Sequence, residues 1–266
     1  MKGALIFAIN NGTIDYLSMA RWSAKNIARH LGIPTAIVTN ELFTPLDHEH
    51  VVHITPQGTN SRWFGDYNKN VIWHNESRVN AYELTPWDET IVLDGDYVVA
   101  SDQLKIIVDA DVDFIAPRWA VDIVGLNDFT GLNYFGSYKM PMWWATVMKF
   151  RKSQQAKLIF DSMIMVQNNW NHYRSLYKNT QKAYRNDHSL TIALGIVNGH
   201  TLDHTGIPWP LLSLLPEHKL TQIDLDTYRI DYRTPDNKLK WIQVSDQDFH
   251  AMGKQQLGEI VAKDLG

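Results

Sequence analysis

Thr90-Ile91-Val92-Leu93-Asp94-Gly95-Asp96 is the stretch on which the reading of this chain turns. A short continuous aliphatic run, Ile91-Val92-Leu93, reads as a strand buried on both faces, of the kind found inside parallel sheets. In open α/β sheets ligands collect beyond the carboxyl ends of the strands, which is where Asp94 and Asp96 stand. On an extended backbone residues two apart share a face, so both carboxylates can address one cation. Two acids held together repel each other unless a cation neutralises them, and hard oxygen donors suit Mg²⁺ or Mn²⁺. Gly95 between them lets the backbone turn and lets a ligand come close.

The spacing of acids alone says little, because Asp-x-Asp occurs five times, at 94/96, 109/111, 111/113, 224/226 and 246/248. Asp109, Asp111 and Asp113 fall where a helix gives way to a strand, a usual place for turn residues. The plain alternative for Asp94 and Asp96 is a strand-end turn with solvated acids. Their position directly after an apolar strand sets them apart.

Outward from this strand, the first half alternates short apolar runs with helical spacing. Residues 3–9, 35–38, 51–54, 90–93 and 113–116 read as strands. From Ile14 to Leu31 the apolar positions recur at helical intervals, with Gly32 as a C-terminal cap and Pro34 preventing continuation. Short helices are expected over 77–84 and 101–108, and a loop rich in Gly, Asn and aromatic residues over 55–75. The second half is less regular: a strand at 145–150, helices at 153–165 and 187–197, short strands near 228–230 and 240–244, and a terminal helix from Lys254. Strand–helix alternation implies a mainly parallel sheet covered on both faces. With no repeat or linker in view, one α/β domain is expected over residues 1–266, a length that can bury a sizeable core.

Composition narrows the chemistry. Cysteine is absent, which removes disulfides, thiol catalysis and thiolate metal sites together, so any metal must sit on carboxylate and imidazole. No apolar run approaches the ~20 residues needed to span a bilayer, and the N-terminal run turns polar at Asn10-Asn11, so a first strand is expected there and a cytoplasmic location for the chain. The net charge of −4 argues against general nucleic-acid affinity. Between Met148 and Leu190, however, eight basic residues face only Asp161 and Asp187. A solvated helix face explains such a run more often than a partner does, yet a polyanionic acceptor could use it.

Four segments resemble the GT-A fold glycosyltransferases, particularly the glycogenin-like and galactosyltransferase-like group, and occur in that group's order. They are SRVNAYELTPWDETIVLDGD, MWWATVMKFRK, RNDHSLTIAL and DFHAMGK. The last departs from the pattern, since Lys254 directly follows Gly253 and no Pro-Trp comes after it. LTPWDETIVLDGD, MWWATVMKFRK and RNDHSLTIA together also look like glycosyltransferase-like proteins of T4-like tailed bacteriophages and cyanophages. The resemblance implies a GT-A architecture with a nucleotide-sugar-binding half (1–117) and an acceptor-binding half (118–266). It implies sugar transfer from a nucleotide sugar, UDP-linked above all, to a hydroxyl, with Mn²⁺ or Mg²⁺ as cofactor. Since phages of that kind sugar-modify hydroxymethylated bases of their own DNA, hydroxymethylcytosine is a candidate acceptor by resemblance.

On this reading Asp96 binds the metal, Asp94 the metal or the ribose, and His250 completes the protein ligands. Arg78 and Lys254 would meet the diphosphate through charge-assisted bonds. Asn10, Thr13 and Tyr16 follow the first strand, where base and ribose would lie; an ordinary turn and a packed Tyr are the alternatives. Asp187 would stand beside the transferred sugar, or simply cap the helix it opens. Trp143 and Trp144, adjacent on an extended segment, must point to opposite faces, so one of them would line the acceptor groove. A sugar-phosphate nucleotidyltransferase and a non-catalytic carbohydrate- or DNA-binding protein are the competing functions. The first is disfavoured because NNGTIDY lacks the Gly-rich, basic loop that grips a triphosphate, the second because the acid pair is intact.

Overall fold

The computed structural model describes residues 1–56, 60–74, 76–201 and 205–265. Its first elements are β1 (Lys2–Ala8), α1 (Tyr16–Leu31), β2 (Thr35–Thr39) and β3 (Glu49–His53), as the apolar runs predict. The side chains of Ala4 to Ala8 and Ala36 to Val38 are buried, which is what a sheet covered on both faces requires. Helix α1 is capped by the Asp15 carboxylate accepting from the Ser18 amide, and ends at Gly32, whose φ of 69° is left-handed.

The stretch expected to be a loop over 55–75 instead contains a hairpin, β4 (Ser61–Phe64) and β5 (Lys69–Ile72); residues 57–59 and 75 of that stretch lie outside the described residues. The helix expected over 77–84 divides into a 3₁₀ turn, Glu76–Asn80, and α2 (Ala81–Leu84). There follow β6 (Glu89–Leu93), β7 (Tyr97–Val98), α3 (Lys105–Val108), β8 (Phe114–Ile115) and β9 (Ala120–Asp122). The expected helix at 101–108 forms only in its last turn. The Ser101 hydroxyl accepts from the Gln103 amide and donates to Asp248, so local side-chain bonds replace the first helical turn.

After a hairpin of β10 (Tyr134–Phe135) and β11 (Met140–Pro141), β12 (Val147–Arg151) returns to the main sheet. Helices α4 (Gln154–Asn168), α5 (Trp170–Leu176) and α6 (Asn186–Val197) follow. The chain then supplies β13 (Leu211–Leu214), β14 (Lys219–Asp224), β15 (Thr227–Arg233), β16 (Leu239–Ser245), β17 (Phe249–Ala251) and α7 (Lys254–Leu265). Among the described residues no helix is long and apolar enough to cross a membrane.

The main sheet has the order β3-β2-β1-β6-β12-β8. Its first four strands are parallel, and β12 runs antiparallel to both β6 and β8. The fold class is therefore mixed α/β with a mainly parallel central sheet. A second sheet, β7-β17-β13-β9, begins where the first one stops at Asp94–Asp96, and an antiparallel meander, β14-β15-β16, covers α7 through Leu220, Tyr228, Ile230 and Val244.

Candidate active site

The backbone turns at Asp94-Gly95-Asp96 on leaving the main sheet. The Asp94 amide donates to the Thr146 carbonyl (3.0 Å) and the Tyr97 amide to the Asp94 carbonyl (3.0 Å). The chain then enters β7, whose antiparallel partner β17 sets His250 opposite Tyr97. A backbone bond from the Ala251 amide to the Asp96 carbonyl (2.9 Å) locks this register. The pairing thus brings an imidazole from the far end of the sequence to the acid pair: His250 Nε2 lies 3.0 Å from Asp96 Oδ2. One ligand atom from each of Asp94, Asp96 and His250 lies within 4.8 Å of the others.

Two basic side chains close on the same acids. Arg78 pairs with Asp94 through Nη2, and its Nη1 donates to the Ala145 carbonyl at 3.2 Å. Lys254, the first residue of α7, contacts Oδ2 of Asp96. Burial pushes the Arg78 guanidinium down to about 10, against the pull of Asp187, so it keeps its charge at neutral pH. The acid side chains are shielded, with 16% exposure at Asp94 and 7% at Asp96, unlike the solvated strand-end turn that was the plain alternative.

Asp187 does not cap α6. The helix starts one residue earlier, and the carboxylate reaches out of its first turn to accept from the Ala145 amide (2.9 Å) and to pair with Arg185 (3.0 Å). Burial raises its carboxyl, but Arg185, the Ala145 amide, His188 and Arg78 together hold it below the ordinary value. It is an ionised group on the wall of the cavity and a tie between α6 and the segment before β12.

These groups line one cavity of about 330 Å³. Because β6 sits between β1 and β12, the acids occupy its middle. On the β1 side stand Tyr16 and the hairpin residues Trp63 and Phe64, the hairpin being tied to the loop after β1 by Asn11; on the β12 side stand Trp144 and, through the Asp187–Ala145 bond, Arg185, Asn186 and Asp187; Trp73, His74 and Phe129 complete the lining. Trp143 and Trp144 do face apart: Trp144 lines this cavity, and Trp143 lines a separate one of about 90 Å³ under the Arg118 guanidinium. Asn10 and Thr13 do not line the main cavity. The Asn10 side chain accepts from the Leu17 amide, while the amides of Thr13 and Ile14 both donate to Asn11 Oδ1.

The sequence reading did not single out Arg185, Trp63, Trp73 or His74. Arg185 stands two residues before Asp187, the only hint it gave, and the aromatic density of 55–75 was the hint for the others. Among the described residues, four buried side-chain nitrogens of cavity-lining residues have no partner: Trp144 Nε1, Arg78 Nε, Arg185 Nε and His74 Nδ1. Such groups are costly unless a ligand or water completes them.

Part of the basic run over 148–190 is paired within the molecule, though only Lys149 of it is buried. Lys149 is 1% exposed, with its ammonium on the Ala110 carbonyl (2.6 Å) and Glu89 (3.1 Å). Arg151 pairs with Asp111 and Asp113, Lys157 with Asp161, and Arg185 with Asp187; Lys152 donates to the Thr85 carbonyl.

No family profile matches the sequence, and no curated protein does. Among solved structures the chain is similar to the glycosyltransferase GlyE of Streptococcus pneumoniae TIGR4, at 12% identity over 78% of this chain and 45% of that one, TM-score 0.45. It is also similar to the galactosyltransferase LgtC, solved with donor and acceptor sugar analogues, at 15% identity over 73% of this chain and 70% of that one, TM-score 0.47. A Bacillus anthracis protein provisionally assigned as a glucose-1-phosphate thymidylyltransferase matches at 11% identity over 78% of this chain and all of its own, TM-score 0.37. The chain thus spans less than half the length of GlyE. Likeness at this distance leaves the function to be read from the site.

Proposed function

We propose that this protein is a metal-dependent glycosyltransferase that moves a sugar from a nucleoside-diphosphate donor to a hydroxyl. The observation that carries the reading is the cluster of Asp94, Asp96 and His250, with Arg78 and Lys254 closing on the same two carboxylates. Two carboxylates and one imidazole within reach of a common point form a donor set that fits Mn²⁺ and, with less help from the imidazole, Mg²⁺. Bound there, such a cation neutralises charge as a nucleoside diphosphate departs.

The chain's own residues supply the rest. Arg78 and Lys254 offer charge-assisted bonds to phosphate oxygens. The cavity wall carries three carboxylates, Asp94, Asp96 and Asp187, against three strong bases, Arg78, Arg185 and Lys254. A divalent cation added to this balanced set leaves the surplus that a diphosphate diester neutralises. Asp187, ionised and beside Asn186, suits the hydroxyls and the developing positive charge of the transferred sugar. Trp144 offers the acceptor a flat face and an unpartnered N–H. Residues 1–117 would then serve mainly the nucleotide and residues 118–266 the acceptor, with His250 and Lys254 returning to the centre.

Against nucleotidyltransfer stands the loop after β1. Its amides at Thr13, Ile14 and Leu17 are consumed by Asn10 and Asn11 side chains and are not free to cradle a triphosphate. A hydroxymethylated DNA base is one hydroxyl acceptor that Trp144 could stack, in keeping with the phage resemblance.

A thermal-shift and hydrolysis assay with UDP-sugars tests the reading. The donor should stabilise the wild type only with Mn²⁺ present, with slow release of UDP, and Asp96→Ala should abolish both while melting cooperatively. Full activity of a well-folded Asp96→Ala variant rejects the metal assignment. Incubation of the best donor with hydroxymethylcytosine DNA, read by mass, tests that acceptor.

A further inference from the structure

We infer that the β4–β5 hairpin is the wall that receives the nucleobase of the donor, with Trp63 as its stacking platform; this rests on the glycosyltransferase reading above. The hairpin is fixed by alternation along its strands. Phe64 and Val71 are buried in the core beneath α1 and α7, while Trp63, the neighbour of Phe64, faces the other way and stays 55% exposed where it lines the cavity.

The position selects the ligand. Asn11 Nδ2 donates to the Ile72 carbonyl at 2.8 Å, tying the end of β5 to the loop after β1. This puts the hairpin on the side of the acids away from β12. A nucleotide sugar is a linear object, and with its diphosphate at Asp94, Asp96, Arg78 and Lys254 its two ends must run to opposite walls. The β12 side carries Arg185, Asn186 and Asp187 beside Trp144, and these charged and amide groups suit sugar hydroxyls. The hairpin wall presents the open indole of Trp63, whose flat apolar surface suits an aromatic base and has little to offer a pyranose's rim of hydroxyls. Across the strands Trp63 pairs with Asn70, a small neighbour that leaves the indole accessible.

The test is titration calorimetry in saturating Mn²⁺ with four probes, UDP, GDP, ADP and inorganic pyrophosphate. Wild type, Trp63→Ala and Trp63→Phe are compared. The tightest nucleoside diphosphate should bind Trp63→Ala about tenfold more weakly, about 1.4 kcal/mol, with most of the loss restored by Phe. Pyrophosphate should bind all three proteins alike. Equal nucleotide affinity in wild type and Trp63→Ala overturns the inference, as does equal weakening of nucleotide and pyrophosphate, or a wild type that prefers no nucleotide to pyrophosphate. A wild type that binds none of the four probes overturns the glycosyltransferase reading itself, so the two failures are distinguishable.

Discussion

Lys254 contacts Oδ2 of Asp96, the oxygen that His250 Nε2 also reaches at 3.0 Å, although the lysine lies 158 residues further along the chain. An ammonium and a divalent cation cannot both hold that atom closely. Metal binding must therefore displace Lys254, which frees it for a phosphate. Lys254→Met should bind Mn²⁺ about tenfold more tightly in the absence of donor, the low end of what a charge-assisted bond contributes (about 1.5–3 kcal/mol). The same variant should bind a nucleotide sugar more weakly once Mn²⁺ is saturating. Free Mn²⁺ measured by electron paramagnetic resonance reads the first effect and calorimetry the second; unchanged values in both would make the contact incidental.

Gly95 offers a cleaner probe of ligand approach. A Cβ built there meets only Ile6 Cγ2, at an ordinary 3.7 Å, so the fold does not require glycine at this position. Gly95→Ala should keep its stability within about 1 kcal/mol and lose donor affinity if the donor comes close to this stretch of backbone, which lines the cavity. A variant that melts like the wild type and binds donor equally well would show that nothing comes near Gly95.

Asp187→Asn separates charge from architecture. The amide oxygen can still accept from the Ala145 N–H, while Arg185 loses its ionic partner, at a cost of about 1–3 kcal/mol. Turnover should fall about 10²–10³-fold if the carboxylate faces a charge that develops in the reaction, with donor affinity less affected. Turnover near that of the wild type would leave Asp187 as a structural tie alone.

His188 should set an acid limit on stability. Burial, aided by Arg185, pushes its imidazole down to about 4, and the ring stacks on Trp170 at 5.6 Å. The folded state thus disfavours the proton that the unfolded chain accepts near 6.5. The resulting stability is complete above that value and lost as pH falls towards 4, about 3 kcal/mol in all. Urea midpoints followed from pH 7 to 4 should fall in the wild type, and the fall should be shallower by this amount in His188→Gln.

Much of the first half of the chain was legible because it obeys local rules. The buried runs of β1, β2 and β6 and the capped, periodic α1 announce themselves by residue type, and the acids of interest were marked by the strand before them. In the second half the short strands expected near 228–230 and 240–244 are the middles of β15 and β16, whereas β14 and the β4–β5 hairpin were obscure for the opposite reason. Those strands are polar or half exposed, and are held by partners that only folding brings together. His250 carries no local mark at all; its place was read from motif order, and β7–β17 pairing is what sets it beside Asp96. Asn10 and Thr13 stand in a turn whose amides the asparagines satisfy, the arrangement that the alternative reading of this segment describes.

The pairing of β7 with β17 also bears on how the protein comes to life at the ribosome. Asp94 and Asp96 leave the exit tunnel long before His250 and Lys254, so a nascent chain carries an unfinished cleft with two acids and neither of their late partners. Competence then arrives in a single late step, when the last strand docks, and a polypeptide stalled before that strand would be inert towards donor however well its first sheet had formed.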